Sequence, residues 1–346
     1  FNKQNTKEKS IMSDYLKKVL YYGDSTISSI IQDNLMEFFD WGIMDIGGFT
    51  NVSIPQSDIY SGTRHQLRLV NDPRYTSGQV WEGFRSNWVW QSGFACTGQP
   101  KTLLKLKPDA SHKPGISGVF VGGAFQPTSG VGTYAHHIDY PNGRVVFDTA
   151  ISTTSAVTAE FSYKEVKMVR ASNDFFREVQ YRSERADEDF TLEGSGDWSQ
   201  LSETRLQLPI VAVEVLKGRK NEPYGLGTSA HFVNTDVLFH VLAEEDYERD
   251  KLLDILSYQD EKVITLFDSD KIGRDGVFPL NYQGMTNTGA KIYPDLVKDT
   301  DDGGFPYTAI NSTVNMMMKD PRVSLSESIN PNLHHGVVRI TTEVVM

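Results

Sequence analysis

YAHHIDYPNGRVVFDTAI (residues 134–151) carries two competing messages. The adjacent imidazoles of His136 and His137 suggest a metal or acid–base centre, whereas Tyr140-Pro141-Asn142-Gly143 marks a hairpin between two strands. Successive side chains of a strand point to opposite faces, so the two histidines cannot both ligate one metal without a bulge. Asn142-Gly143 offers the positive φ angles of a type I′ turn, which predicts that residues 138–140 pair with residues 144–147. The turn, rather than the histidine pair, is the informative feature.

Around this hairpin, residues 115–170 read as the clearest β region. Strand-length runs such as GISGVFVGGAFQP, GRVVFDTAI and TAEFSYKEVKMV are bounded by Gly, Pro, Asn and Ser. They predict a compact sandwich or small barrel. Upstream, Ile27, Ile30, Ile31, Leu35, Phe38 and Phe39 fall at helical spacing from position 25 or 26 to 40, after an Asp24-Ser25-Thr26 stretch able to cap the first turn. Gly42, Gly47 and Gly48 then break the pattern. Residues 50–110 hold short extended pieces with the aromatics Trp81, Phe84, Trp88 and Trp90. Trp88, Trp90 and Ser92 would share one strand face, and their rings read as core or subunit-contact groups.

Downstream, residues 171–205 are polar and acidic and read as an exposed loop. LQLPIVAVEVLKG reads as a strand interrupted by Pro209, at an edge or bulge. AHFVNTDVLFHVLAE reads as another strand, EEDYERDKLLDILSYQ as a helix with Tyr247, Leu252 and Leu253 at helical spacing, and KVITLFD as a buried strand. The chain is loop-rich from Asp268 to about Asn311. STVNMMMKD and HHGVVRITTEVVM follow, the second with Val338, Ile340, Thr342 and Val344 alternating against Arg339, Thr341 and Glu343. The fold class expected is α+β and β-rich. It comprises an N-terminal arm (1–24), a helix and mixed segment (25–110), a β-sandwich-like insertion (111–170) and a C-terminal α+β module with an acidic loop (171–346).

Composition narrows the function classes. The chain has 346 residues, a formal charge of −11 and one cysteine, Cys96. The acidic balance argues against broad phosphate-backbone binding, which requires clustered Lys and Arg. The lone cysteine excludes an internal disulfide and is compatible with a reducing compartment. No apolar run approaches the ~20 residues of a spanning helix, so a soluble protein without membrane association is expected. Residues 1–12 lack an apolar h-region, do not read as a secretory signal, and are expected to form a mobile arm; an initiator at Met12 is an alternative start.

None of the local motifs carries chemistry. No HExxH, cysteine cluster or facial-triad spacing appears, and His334/His335 and His231/His240 meet the same parity objection as the first pair. GLGTSA at 225–230 matches a dinucleotide fingerprint in letters only, since a strand pattern rather than a helix follows it, and GTSAH lacks the second glycine of a nucleophile elbow. The acidic loops DSDKIGRDG and DTDDGGF lack the ligand spacing of an EF-hand and read as solvated turns. No residue is nominated as catalytic, cofactor-binding or metal-binding, and no cofactor is expected.

The block FVGGAFQPTSGVGTYAHHIDYPNGRVVFDTAISTTSAVTAEFSYKEVKMV and the later DVLFHVLAEEDYERDKLLDILSYQDEKVITLFD together resemble structural proteins of tailed bacteriophages. The first is similar in its Y-P-N-G-R-V-x-F run between strands, the second in its strand-helix-strand order. Together they cover about a third of the chain. The resemblance implies a non-enzymatic virion component of the neck or tail, of the connector or tail-terminator type. It further implies a homo-oligomeric ring that joins the head–tail connection and contacts neck, tail tube or sheath proteins, with DNA passing its channel. Such a protein resides in the host cytoplasm during assembly and in the virion thereafter. A baseplate or fibre-attachment protein is the first alternative. A carbohydrate-binding or hydrolytic β-rich protein using Trp81, Trp88 and Trp90 as a platform is the second.

Overall fold

The computed structural model describes residues 27–54, 63–91, 115–116, 118–128, 130–172, 207–225, 231–269, 272, 279–297 and 315–345. It is α+β and rich in strand, as the pattern of the sequence predicts. The first described element is helix α1 (Ile27–Asp45), whose Ile27, Ile30, Ile31, Leu35, Phe39 and Ile43 are buried along one stripe. Each such side chain withdrawn from water contributes about 2 kcal/mol. The helix runs beyond position 40 and straight through Gly42. It stops where Gly47 adopts φ 99°, with Gly48 N–H donating to Ile43 O at 2.8 Å and Gly47 N–H to Met44 O at 2.9 Å. Those paired bonds are the Schellman motif that a left-handed glycine allows. The expected N-terminal cap lies outside the described residues.

The middle β region, expected as a sandwich or small barrel, is distributed over three small sheets. Strand β1 (Phe49–Val52) pairs antiparallel with β9 (Phe161–Lys164). Strands β2 (Arg68–Leu69), β3 (Val80–Glu82), β7 (Arg144–Phe147) and β6 (His136–Asp139) lie side by side in that order. Strands β5 (Ala124–Pro127), β4 (Gly118–Val121) and β8 (Val157–Ala159) form the third sheet. One core joins them, drawing Val52, Trp81, Phe84 and Trp88 from the earlier segment and Val119, Val145, Phe147 and Phe161 from the later one. Strand pairing and packing therefore run across the boundary expected at 110/111.

The hairpin forms where the sequence placed it, with a longer first strand: His136 pairs with Phe147, Ile138 with Val145 and Asp139 with Arg144. The turn is not type I′. Gly143 alone has positive φ, at 64°, and its N–H donates to Tyr140 O at 3.2 Å. Pro141 explains the difference: its ring fixes φ near −65° and favours the first central position of a type I turn, leaving the left-handed residue to follow. The loop after β3 lies against this turn, because Asn87 N–H and Trp88 N–H donate to Pro141 O and Tyr140 O at 3.0 and 2.8 Å. Residues 87–91 are not the regular strand expected, and Ser92 lies outside the described residues. Trp88 makes a single bridge to Tyr163, and Trp88 and Val89 are both buried while Trp90 is half-buried.

The C-terminal part is one curled six-stranded sheet in the order β10-β11-β12-β15-β14-β13. Its strands are β10 (Lys167–Arg170), β11 (Ile210–Pro223), β12 (His231–Ala243), β13 (Lys262–Thr265), β14 (Asn315–Asn330) and β15 (Leu333–Val345). Helix α2 (Asp246–Ser257) packs with α1 on one face, and the short α3 (Tyr293–Leu296) packs Tyr293 edge-on to Phe38. Alternation sets the buried face: Val233, Val237, Phe239 and Val241 of β12 and Val338, Ile340 and Val344 of β15 join Leu252, Leu253 and Leu256 of α2.

Four expectations change here. Pro209 precedes β11 instead of interrupting it, and β11 is interior along residues 210–213, where β10 covers it. Strand β13 is an edge strand that buries Ile264 but leaves Val263 exposed, since it pairs with β14 alone. Tyr247 points to solvent from the first turn of α2. The strand-helix-strand unit is present in chain order, yet β12 and β13 are separated by β15 and β14. The acidic loop at 171–205 lies almost wholly outside the described residues.

Asn34 fastens the N-terminal helix to the chain beyond the sheet. It is fully buried, its Nδ2 donates to Ile30 O and Phe267 O at 2.8 Å each, and its Oδ1 accepts from Phe267 N–H at 2.9 Å. Replacing it by alanine strands both backbone groups of Phe267, and a buried group left without its bond costs about 1–3 kcal/mol. Asn34→Ala should therefore lower the unfolding free energy by about 3 kcal/mol, read from urea titration. Gly143→Ala should lower it similarly, by about 2–4 kcal/mol. A Cβ there would stand 2.4 Å from Arg85 O on a backbone of positive φ. Unchanged denaturation midpoints would contradict these assignments.

Candidate functional site

One face of the six-stranded sheet is covered by α1 and α2; the other carries a small buried cluster of Val169, Leu208, Ile210, Ala212, Leu242 and Leu333 and, beside it, the polar chemistry of the C-terminal part. His335 of β15 stands directly opposite Glu327 of β14, while Glu214 of β11, His240 of β12 and His335 follow one another diagonally, Glu214 being paired with Leu238 and His240 with Ala212 and Val337. His240 Nε2 lies 3.1 Å from Glu214 Oε2, and His335 Nδ1 lies 3.4 Å from Glu327 Oε1. The two imidazoles stack at 5.7 Å, only 10° from parallel. Burial holds His335 below the ordinary imidazole value; the bond to Glu327 pulls the other way, and His240 adds to the lowering. The neutral ring is thus favoured in the fold. Its contribution to stability is present above the ordinary imidazole value and lost as pH falls through the lowered one. Further along the same face, Asp236 takes Arg339 Nη2 at 2.6 Å and Thr341 Oγ1 at 2.8 Å.

The remaining histidines stay apart, as strand parity predicts. His136 is buried, its Nδ1 2.9 Å from Tyr134 O, and its ring leans on Phe147. His137 points the other way, 4.0 Å from Asp148. His334 sits beside Ser328 Oγ at 2.8 Å rather than with His335. Among the described residues no three His, Cys, Asp or Glu side chains converge as metal ligands. The meeting of His240 with His335 was invisible in the sequence because it depends on β12 and β15 being neighbours, which local periodicity does not encode.

A second polar cluster lies where α1 crosses the end of β9. Lys164 Nζ reaches Asp40 at 2.5 Å, Gln91 Nε2 donates to the same carboxylate at 3.2 Å, and Thr50 Oγ1 donates to Glu165 at 3.1 Å. Glu37 stands beside them. Burial, with Asp40 and Asp33 close by, pushes its carboxyl up to about 7 against the pull of Lys164. A carboxyl of that kind can hold a proton near neutrality. The recess lined by Arg85, Lys164, Glu165 and Lys167 is sized for a water molecule rather than a substrate.

Trp81 and Trp88 belong to the middle core; Trp88 stacks on Phe161 at 4.3 Å, and neither ring is presented to solvent. That removes two of the three rings a sugar platform would need. Cys96, His112, nearly all of GLGTSA, most of DSDKIGRDG and the whole of DTDDGGF lie outside the described residues. No helix among those described is long and apolar enough to cross a membrane.

The most exposed part of the sheet is its edge. Strand β13 covers β14 only along residues 315–318. Among the described residues no strand other than β15 pairs with β14 from 319 to 330, where Asp320 N–H donates to Asp260 at 3.2 Å and Glu327 O accepts from Arg249 Nη1 at 3.1 Å, and residues 322–329 are all exposed. Val323, Leu325 and Ile329 are 50%, 37% and 42% exposed. On the far side of the sheet β10 covers β11 only along residues 210–213, and among the described residues no strand covers the outer side of β11 from 214 to 223.

Glu37 has a measurable signature. Between pH 4.5 and about 7 the folded chain keeps a proton that the unfolded chain has released. Its contribution to stability is therefore present below 4.5 and lost as pH rises through about 7. Glu37→Gln should flatten the decline in thermal midpoint from about pH 5 to about pH 8; an unaltered profile would show that another group carries it. No protein-family model matches the chain, and no curated protein sequence matches it.

Proposed function

We propose that the chain is a structural component of a tailed-phage virion, part of the neck or tail, that works by assembling with copies of itself into a ring. The observation that carries the self-assembly is the outer side of β14, which no strand among the described residues covers beyond 318, with its eight-residue exposed run at 322–329. A long unpaired edge with alternating apolar side chains is a template for another strand, and monomeric proteins normally blunt such edges. The placement in a virion rests on the sequence resemblance of the middle block and the strand-helix-strand block. The formal charge of −11 suits a channel through which DNA passes without adhering. In this reading the chain turns over no small molecule, and its partners are its own copies and the adjoining neck, tail tube or sheath proteins.

Light scattering after size exclusion, with class-averaged electron micrographs of the same fractions, tests the reading. Rings of one fixed symmetry, and the same rings at the head–tail junction of particles, are the expected result. A monomer at all concentrations would overturn it, and a trimer located at the baseplate would favour the fibre-attachment alternative.

A further inference from the structure

We infer that neighbouring copies join by strand addition, the uncovered stretch of β14 in one copy pairing antiparallel with the uncovered stretch of β11 in the next. This rests on the self-assembly proposed above and adds the two surfaces and their direction. Polarity is the first support. The steps β11 to β12, β12 to β15 and β15 to β14 are all antiparallel, so β11 and β14 run in opposite directions. A second copy laid beside the first in the same orientation therefore brings an oppositely directed β11 to β14.

Coverage is the second support. Strands β10 and β13 each shield only the beginning of the strand they flank. Because β11 and β14 begin at opposite ends of the sheet, the two open stretches lie diagonally across it. Shifting the second copy along the strands sets open stretch against open stretch. Strand β13 of one copy and β10 of the other then flank the joint at its two ends and do not collide. The stretches, residues 319–330 and 214–223, are similar in span, and at about 3.3 Å per residue each is some 30–40 Å long.

Charge order is the third. From N to C, β14 presents Arg322 and then Glu327, and β11 presents Lys217 and then Glu222, at the same five-residue spacing. Antiparallel pairing sets Arg322 beside Glu222 and Glu327 beside Lys217. Glu222 already holds Lys220 at 2.6 Å and Glu327 reaches His335 at 3.4 Å, but at 46% and 51% exposed each carboxylate can accept a further cation. Exposed pairs of this kind add little affinity and act mainly on register and choice of partner. Both stretches are bulged, β14 between Val323 and Leu325 and β11 between Val215 and Arg219, so they match by span rather than by an unbroken ladder. Two-fold pairing of β14 with itself would also match charges, but it would leave every β11 open and end at a dimer.

The test uses the full chain with Cys96→Ser. Lys217→Cys and Glu327→Cys, combined, should give a ladder of covalent multimers on mild oxidation, and each alone should stay monomeric on a denaturing gel. Covalent dimers from Arg322→Cys combined with Glu327→Cys, without the ladder, would mean two-fold pairing and overturn the inference. Rings in micrographs with no 217–327 cross-link would overturn it while leaving the ring reading intact; a chain that never assembles would overturn both. Should cysteines hinder folding, charge exchange serves instead. Glu327→Lys and Lys217→Glu should each reduce the assembled fraction roughly five-fold at low salt, and the double exchange should restore it. No restoration would count against the joint.

Discussion

The burial of one amide, Asn34, ties together parts of the chain that the sequence keeps far apart. Its side chain bonds the helix backbone at Ile30 and both backbone groups of Phe267, 233 residues away. With that clasp in place, the isoleucine and phenylalanine stripe of α1 lies on β11, β12 and the strands beyond, and Phe39 meets Phe239 edge-on at 5.1 Å. A buried amide of this kind is tolerated only because its donors and acceptor are satisfied. Remove the clasp and the helix loses its bonds to Phe267, while its apolar stripe still holds it to the sheet.

The charged groups follow the same logic of placement by neighbours. Arg68 and Glu82 pair across β2 and β3 at 2.5 Å, and Arg144 of β7 reaches both Glu82 and Asp72. Asp72, bonded by Arg74, is held down to about 2. On the large sheet, Glu214, His240, His335 and Glu327 touch in the order acid, base, base, acid along a diagonal over four strands. Rows of this type satisfy half-buried polar groups and resist register slips, because sliding any strand by one residue turns its member to the other face. They act on specificity of the fold more than on its free energy.

Local pattern in the sequence was enough for α1, α2, the hairpin at 134–151 and the alternation of β15, because each is dictated by spacing or by turn chemistry. It failed where a neighbour decides. The strand nature of 319–330 was missed since Pro321 and a run of serines break its pattern, and only pairing with β15 makes it a strand. Val263 looked buried because a short apolar run does not say whether one side or two are covered. The turn at Tyr140–Gly143 was placed correctly and typed wrongly, because Pro141 outweighs the Asn-Gly pair that follows it. Of the polar sites, the opposite orientation of His136 and His137 was legible from parity alone. The His240–His335 stack was not, since nothing in either segment announces the other.

Chain order gives the position of α1 a consequence for synthesis. The helix leaves the ribosome long before strands β11, β12, β14 and β15 exist, and its apolar stripe has no surface to lie on until they do. At about 5–20 residues per second that interval lasts some tens of seconds. Throughout it Ile30, Ile31, Leu35, Phe38 and Phe39 face water or a chaperone, while the middle β region already has a complete core of its own sequence neighbours. The nascent protein is therefore a folded centre preceded by an unsatisfied helix, and β15 is among the strands that release it.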